Sequence, residues 1–200
     1  MSMRVAVCIS GGGSNLVALL DEFGAGSDVE IVLVISNRAA AGGLERARER
    51  GVTAVVLGDP DDEVEWIALL DRHQVQLVVL AGYLKLVPRA VIQRWQGRII
   101  NVHPGPLPAF GGQGMYGRRV HTAVLAAGLG ETAATVHLVD EEYDRGPVLA
   151  TVPVPIHPGD TPETLAARVL EAEHRLLPAV VRAAARAGHP IPLPEPLEQA

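Results

Sequence analysis

Residues Ile99 to Phe110 read IINVHPGPLPAF, and two polar side chains among them could do chemistry together. Asn101 and His103 close an apolar run, and Pro104, Pro106 and Pro108 follow at once. In a strand, residues two apart project to the same face, so the amide and the imidazole can converge on one point. An uncharged amide donor beside an imidazole suits an oxyanion, and the imidazole can also move a proton. His103 by itself reads as a structural strand-end histidine; the pair, backed by a rigid turn, reads as chemistry. A third group lies in VHLVDEEYDRGPVL, Val136 to Leu149. Acidic loop residues are ordinarily just solvated, and that is the plain reading of Asp140, Glu141 and Glu142. Asp144 differs, because Arg145-Gly146-Pro147 after it demands a tight turn that would hold it in place. A fixed carboxylate near an imidazole favours the imidazolium, which would make His103 a stronger donor.

A second candidate site is SGGGSNL, Ser10 to Leu16. Glycines let the backbone approach a ligand, and the free N–H groups of a helix start favour an anion. Leu16 occupies the place of a dinucleotide fingerprint's third glycine, and no Gly-Lys-Ser/Thr follows, so neither that motif nor a P-loop is present. The bland alternative is a glycine turn capped by Ser14. The ligand that fits best is one phosphate monoester on the backbone amides of Gly13, Ser14 and Asn15.

The elements that must carry these residues follow from periodicity. Arg4–Ile9, Glu30–Ser36, Thr53–Leu57, Gln76–Ala81 and Arg98–Val102 are short runs of Val, Ile and Leu with little alternation, as expected of strands buried on both faces. Asn15–Glu22, Gly42–Arg50 and Glu63–Arg72 show helical spacing between them. That rhythm predicts an α/β fold: a doubly wound, mostly parallel twisted sheet flanked by helices. Strand carboxyl ends are where such sheets bind ligands, and both candidate sites fall there. After Phe110 the spacing predicts a helix near Arg118–Ala127, strands over Thr132–Val139 and Val148–Pro155, and a long helix from Thr161. Thr161 is its expected N-cap and Pro162 its first residue. Thr164 stands where a capping box wants Glu or Gln, so the box is expected to be incomplete. Pro178 is expected to kink this helix, and HPIPLPEPLEQA after it to lie on the surface without regular structure. Residues 1–188 are expected to form one domain and 189–200 a Pro-rich surface tail.

Composition excludes several classes. Of 200 residues, 48% are apolar and 20% charged, which describes a globular chain. A net charge of −6 without a Lys/Arg run argues against nucleic acid as partner. No apolar stretch approaches the roughly 18 residues of a membrane span, and MSMRVAVCISGGG lacks a signal-peptide pattern. A soluble cytoplasmic protein is expected. The single cysteine, Cys8, lies inside an apolar strand and reads as a buried thiol, and the seven scattered histidines show no zinc-ligand spacing.

Taken together, SGGGSNL, SNRAAAGGLERAR, VVLAGYLKLVP, NVHPGPLPAF, VHLVDEEYDRGPVL and ARVLEAEHRLLP resemble the glycinamide ribonucleotide (phosphoribosylglycinamide) formyltransferase family, in its order from Met3 to about Pro178. The resemblance implies transfer of a formyl group from 10-formyltetrahydrofolate, as co-substrate and without a metal, to the glycinamide amine of a ribonucleotide in purine synthesis. It implies a catalytic trio of Asn101, His103 and Asp144, a phosphate loop of Gly13, Ser14 and Asn15, and Glu173 on the ribose hydroxyls. Folate contacts are implied for Leu84, Lys85, Leu86 and Val87, for Asn101, and for backbone groups of Val139, Asp140, Glu141 and Glu142. The residues alone had led to the trio and the phosphate loop, and not to folate. Two stretches depart from the family. Many relatives carry a basic residue in an SRE-like motif where this chain has DPDDEVEW, so no folate contact is expected there. GGQGMYGRRVHTAVL is longer than the commonest form and resembles a GKGMYG subgroup.

The implied partners are the two small molecules, with a monomer or homodimer as the expected state. Three rivals share part of the pattern. Methionyl-tRNA formyltransferase ordinarily adds an RNA-binding domain for which this acidic chain is expected to have no room. Formyltetrahydrofolate hydrolase ordinarily begins with a regulatory domain, whereas the first strand here starts near Arg4. A non-catalytic nucleotide-binding module would leave Asn101, His103 and Asp144 without a shared purpose.

Overall fold

The computed structural model describes residues 2–193. Five parallel strands, β1 (Met3–Ile9), β2 (Val29–Ser36), β3 (Thr53–Val56), β4 (Leu77–Leu80) and β5 (Ile99–His103), are followed by β6 (Glu131–Leu138) and β7 (Val148–Pro155), which run antiparallel to their neighbours. They form one seven-stranded sheet in the order β3-β2-β1-β4-β5-β6-β7. The doubly wound, mostly parallel sheet expected from the apolar runs is the one observed. The chain winds outward from β1 to β3, then crosses back so that β4 lies beside β1. Such a reversal opens a crevice at the strand carboxyl ends. Here it falls between the SGGGSN turn after β1 and Ala81–Val87 after β4.

Alternation along each strand divides the core. Val5, Val7 and Ile9 of β1 join a cluster with helices α1 (Ser14–Glu22), α2 (Gly42–Glu49), α5 (Arg118–Ala126) and α6 (Pro162–Ala187). Ala6 and Cys8 join another with α3 (Glu63–Arg72) and α4 (Arg89–Arg94), around Trp66 and Trp95. The second cluster includes a helix that periodicity had not indicated, since α4 has six residues and offers little more than one turn of pattern.

The long helix corrects one expectation. Thr161 Oγ1 accepts from Thr164 N, and Thr164 Oγ1 accepts from Thr161 N at 2.9 Å, so the capping box is complete. A threonine hydroxyl at this position reaches the N-cap amide as a Glu or Gln side chain would. α6 continues unbroken through Pro178 to Ala187. The tail is not wholly a surface feature either. Pro190 is buried, and Leu193 N donates to Leu149 O of β7 at 2.8 Å. The rest of the expected tail, 194–200, lies outside the described residues.

Candidate active site

β5 delivers Asn101 and His103 to the sheet edge of the crevice, and the antiparallel register sets His137 of β6 directly opposite Asn101. Asp144 reaches the same point from the β6–β7 loop. Its backbone is in the left-handed region, φ 55°, which non-glycine residues occupy only when the surroundings enforce it. The enforcing feature is Gly146: a Cβ there would lie 1.8 Å from Leu138 O, so only glycine lets the loop turn back so tightly. Gly112 N donates to Asp144 Oδ2 at 3.0 Å and fixes the carboxylate from the other side.

Asn101, His103 and His137 converge on that carboxylate. Asn101 Nδ2 is 3.4 Å from Asp144 Oδ1, and His103 Nδ1 is 3.6 Å from Oδ2, too long for a hydrogen bond. His103 Nε2 lies 2.8 Å from Phe110 O and donates to that carbonyl. His137 Nδ1 lies 2.8 Å from Leu138 O and donates there. In the neutral ring this leaves His137 Nε2 to accept from Asn101 Nδ2 at 3.0 Å; a charged ring would donate to Asp144 Oδ1, 3.4 Å away.

Electrostatics corrects the expectation of a standing imidazolium. His103 is 3% exposed, and burial outweighs the pull of Asp144 and of the bond to Phe110, so its pKa lies below the ordinary histidine value. Asp144 goes the other way. Burial opposes its charge, but the neighbouring His137 and His103 side chains and the bond from Gly112 N hold it below the usual carboxylate range. The resting site pairs a firm carboxylate with a neutral, hidden imidazole.

A cleft of about 740 Å³ runs over these residues. The glycine turn borders it. Gly13 caps α1 in the left-handed conformation, φ 73°, so close to α2 that a Cβ would lie 2.9 Å from Gly43 Cα. Among the described residues no side chain caps the first turn of α1, so Ser14 is not the cap that a plain turn would use. Asn15 Nδ2 donates to Glu173 Oε2 at 2.6 Å, and Asn15 Oδ1 has no partner among the described residues. Glu173 is 6% exposed, and burial pushes its pKa up to about 7 against the bond from Asn15.

Leu84–Val87 and Val139, Asp140 and Glu142 also border the cleft. Leu84 N donates to Ser10 Oγ at 2.9 Å, which ties this lip to the end of β1. Lys85 Nζ is 3.6 Å from Asp61 Oδ2, so the acidic DPDDEVEW stretch meets the lip through a carboxylate. Glu141 is the one sequence-predicted residue that does not border this cleft; it accepts from Arg89 Nε at 2.8 Å and from Gln93.

Sequence reasoning missed three polar groups here: His137, His121 and the Tyr83 hydroxyl, the last buried without a partner among the described residues. A histidine inside the apolar run of β6 was the available signal for His137, and only strand register reveals what it faces.

Residues 3–181 match a family model described as formyl transferase. The chain is 43% identical over 188 residues to a phosphoribosylglycinamide formyltransferase, chloroplastic, of Arabidopsis thaliana, covering 90% of this chain and 64% of that protein. It is 41% identical to the protein of that name from Vigna unguiculata, covering 90% and 60%. It thus spans less than two thirds of these plant relatives. The crystal structure of phosphoribosylglycinamide formyltransferase from Anaplasma phagocytophilum superposes with a TM-score of 0.86 at 38% identity, covering 94% of this chain and 88% of that one.

Proposed function

The chain belongs to the formyl transferase family, and from that premise we propose that it moves the formyl group of 10-formyltetrahydrofolate onto the glycinamide amine of 5-phosphoribosylglycinamide, a step of de novo purine biosynthesis. One observation carries this. A single cleft is lined by the glycine turn, the buried carboxyl of Glu173, the Asn101–His103–Asp144 cluster and the Leu84–Val87 lip.

In this proposal the phosphate rests on the N–H groups of Gly13, Ser14 and Asn15, where the first-turn amides favour an anion. Glu173 takes the ribose hydroxyls. The folate lies against Leu84–Val87 and the backbone of Val139–Glu142. The amine attacks the formyl carbon, a C–N bond forms, and the carbonyl oxygen becomes an oxyanion. Asn101 Nδ2 leaves His137 Nε2 to donate to that oxygen, a bond that strengthens only as charge develops. Asp144 takes the proton that the amine sheds and returns it through water to N10 as the C–N10 bond breaks. His103 begins neutral, and as negative charge builds beside it its Nδ1 shares that same proton with Asp144, 3.6 Å away, before the proton returns to N10. Holding both substrates in line contributes several kcal/mol, on the order of 7–11 in ideal intramolecular cases. No step calls on a metal. Residues 1–188 act as one catalytic unit on two small molecules, in the cytoplasm, as a monomer or homodimer. Among the described residues no helix is long and apolar enough to cross a membrane.

The test supplies 10-formyltetrahydrofolate with and without the nucleotide. Tetrahydrofolate should form only with the nucleotide and in step with formylated product. Asn101→Ala should lower kcat about 10²–10³-fold with nucleotide affinity held. Tetrahydrofolate and formate released without nucleotide would make the protein a hydrolase instead.

A further inference from the structure

His121 stands outside the Asn101–His103–Asp144 cluster and yet borders the same cleft. It sits one turn into α5 and is 3% exposed. Its Nδ1 is shut off from solvent and has no partner among the described residues. Buried polar atoms are nearly always paired, so each exception calls for a reason. His137 offers the contrast, since both its ring nitrogens have partners. With Nδ1 closed off, Nε2 is the nitrogen of His121 able to reach the cleft. Burial first, and the neighbouring His103 second, hold the ring's pKa below the ordinary histidine value, which keeps it neutral. Of the two neutral tautomers, the one protonated at Nδ1 would bury an orphan N–H, which is rarer than an orphan acceptor. The proton belongs on Nε2, and His121 presents one uncharged donor.

Its position says what that donor meets. The start of α5 is pressed onto the turn after His103: a Cβ on Gly105 would lie 2.6 Å from Val120 Cγ1 and 3.4 Å from His103 Nε2. α5 also packs on α6, whose cleft-facing side carries Glu173. The donor thus opens into the cleft beside the turn that follows His103, from a helix packed against the one that carries Glu173. Between ribose and reacting amine, the substrate has one strong acceptor, the carbonyl of its linking amide. Resting on the formyl-transfer reading above, we propose that His121 Nε2–H binds that carbonyl and so aims the amine at the formyl carbon.

Three variants separate this from a packing role. The Gln amide nitrogen can occupy the place of imidazole Nε2, whereas that of Asn reaches only the place of Nδ1. His121→Phe should raise the calorimetric Kd and the KM for the nucleotide about three- to tenfold, the range for one hydrogen bond, with the folate KM unchanged. His121→Gln should restore most of the loss and His121→Asn should not. Unchanged nucleotide affinity in His121→Phe overturns the proposal, and so does equal weakening of both substrates. So does a fall in Tm shared by all three variants without the split in KM. Wild-type protein that binds the nucleotide but transfers no formyl group would remove the reaction and leave the contact standing. Protein that does not bind the nucleotide overturns both.

Discussion

Glu173 is where stability and binding pull apart. The folded protein keeps its proton up to about pH 7, whereas the ordinary value for the side chain is 4.5. Between those values the folded state binds more protons than the unfolded state, so stability falls as pH rises through that window and levels off above it. The loss amounts to roughly 3 kcal/mol, since one pKa unit is about 1.4 kcal/mol. Glu173→Gln keeps the shape and removes the titration. The variant should match the wild type near pH 5 and exceed it in stability at pH 8, as read by urea denaturation. It should also bind the nucleotide more weakly, because charge-assisted bonds to hydroxyls are worth roughly 1.5–3 kcal/mol each. A stability gap that does not change between the two pH values would place the titration elsewhere. The sequence made Asn101, His103 and Asp144 legible because strand alternation and turn chemistry are local. The neutrality of His103 was not legible, since it follows from how much of the chain closes over the ring. The partnership of His137 with Asn101 needs the β5–β6 register, which pairs residues 36 positions apart.

At the scale of elements, near-continuous apolar runs gave away the parallel strands, because burial on both faces leaves one pattern. The N-terminal helices were equally legible. What escaped were features that depend on contact more than on composition: α4, too short to show a period, the Thr161–Thr164 box, and the docking of Leu193 on β7. The β6–β7 loop falls between the two cases. Its turn residues announced a tight bend, but not that Gly146 lies against a backbone carbonyl or that Asp144 takes φ 55°. Gly146→Ala forces Leu138 or the turn to move, and the movement carries Asp144 with it. Overpacking of this kind costs about 1–3 kcal/mol, so Tm should fall. In the proposed mechanism kcat should fall tenfold or more even at temperatures where circular dichroism reports full folding, since a misplaced proton acceptor costs rate out of proportion to stability. A folded Gly146→Ala protein with wild-type kcat would mean that the turn does not position Asp144.

At the scale of the whole molecule, the sheet divides the two apolar clusters and also joins them, since β1, β4 and β5 send alternate side chains into each. The glycine turn, Glu173 and α6 belong to one side. Trp66 and Trp95, the only tryptophans in the chain, are buried in the other, at 0% and 3% exposure. Tryptophan fluorescence therefore reports the face away from the proposed nucleotide site, while far-ultraviolet circular dichroism is weighted toward the 26-residue α6. If residues 1–188 fold as one unit, denaturation followed by the two signals should give one coincident transition. A ligand bound only to the folded state stabilises it by RT ln(1 + [L]/Kd), about 2.7 kcal/mol at a hundred times Kd. Nucleotide held at the α1–α6 side should then shift the tryptophan transition by the same free energy as the helical one. That equality is the demanding part, because both tryptophans belong to the apolar cluster on the α3–α4 side of the sheet. A tryptophan transition that comes first and ignores the nucleotide would mean that the α3–α4 face opens on its own, leaving β4 and the Leu84–Val87 lip less rigid than a folate site requires.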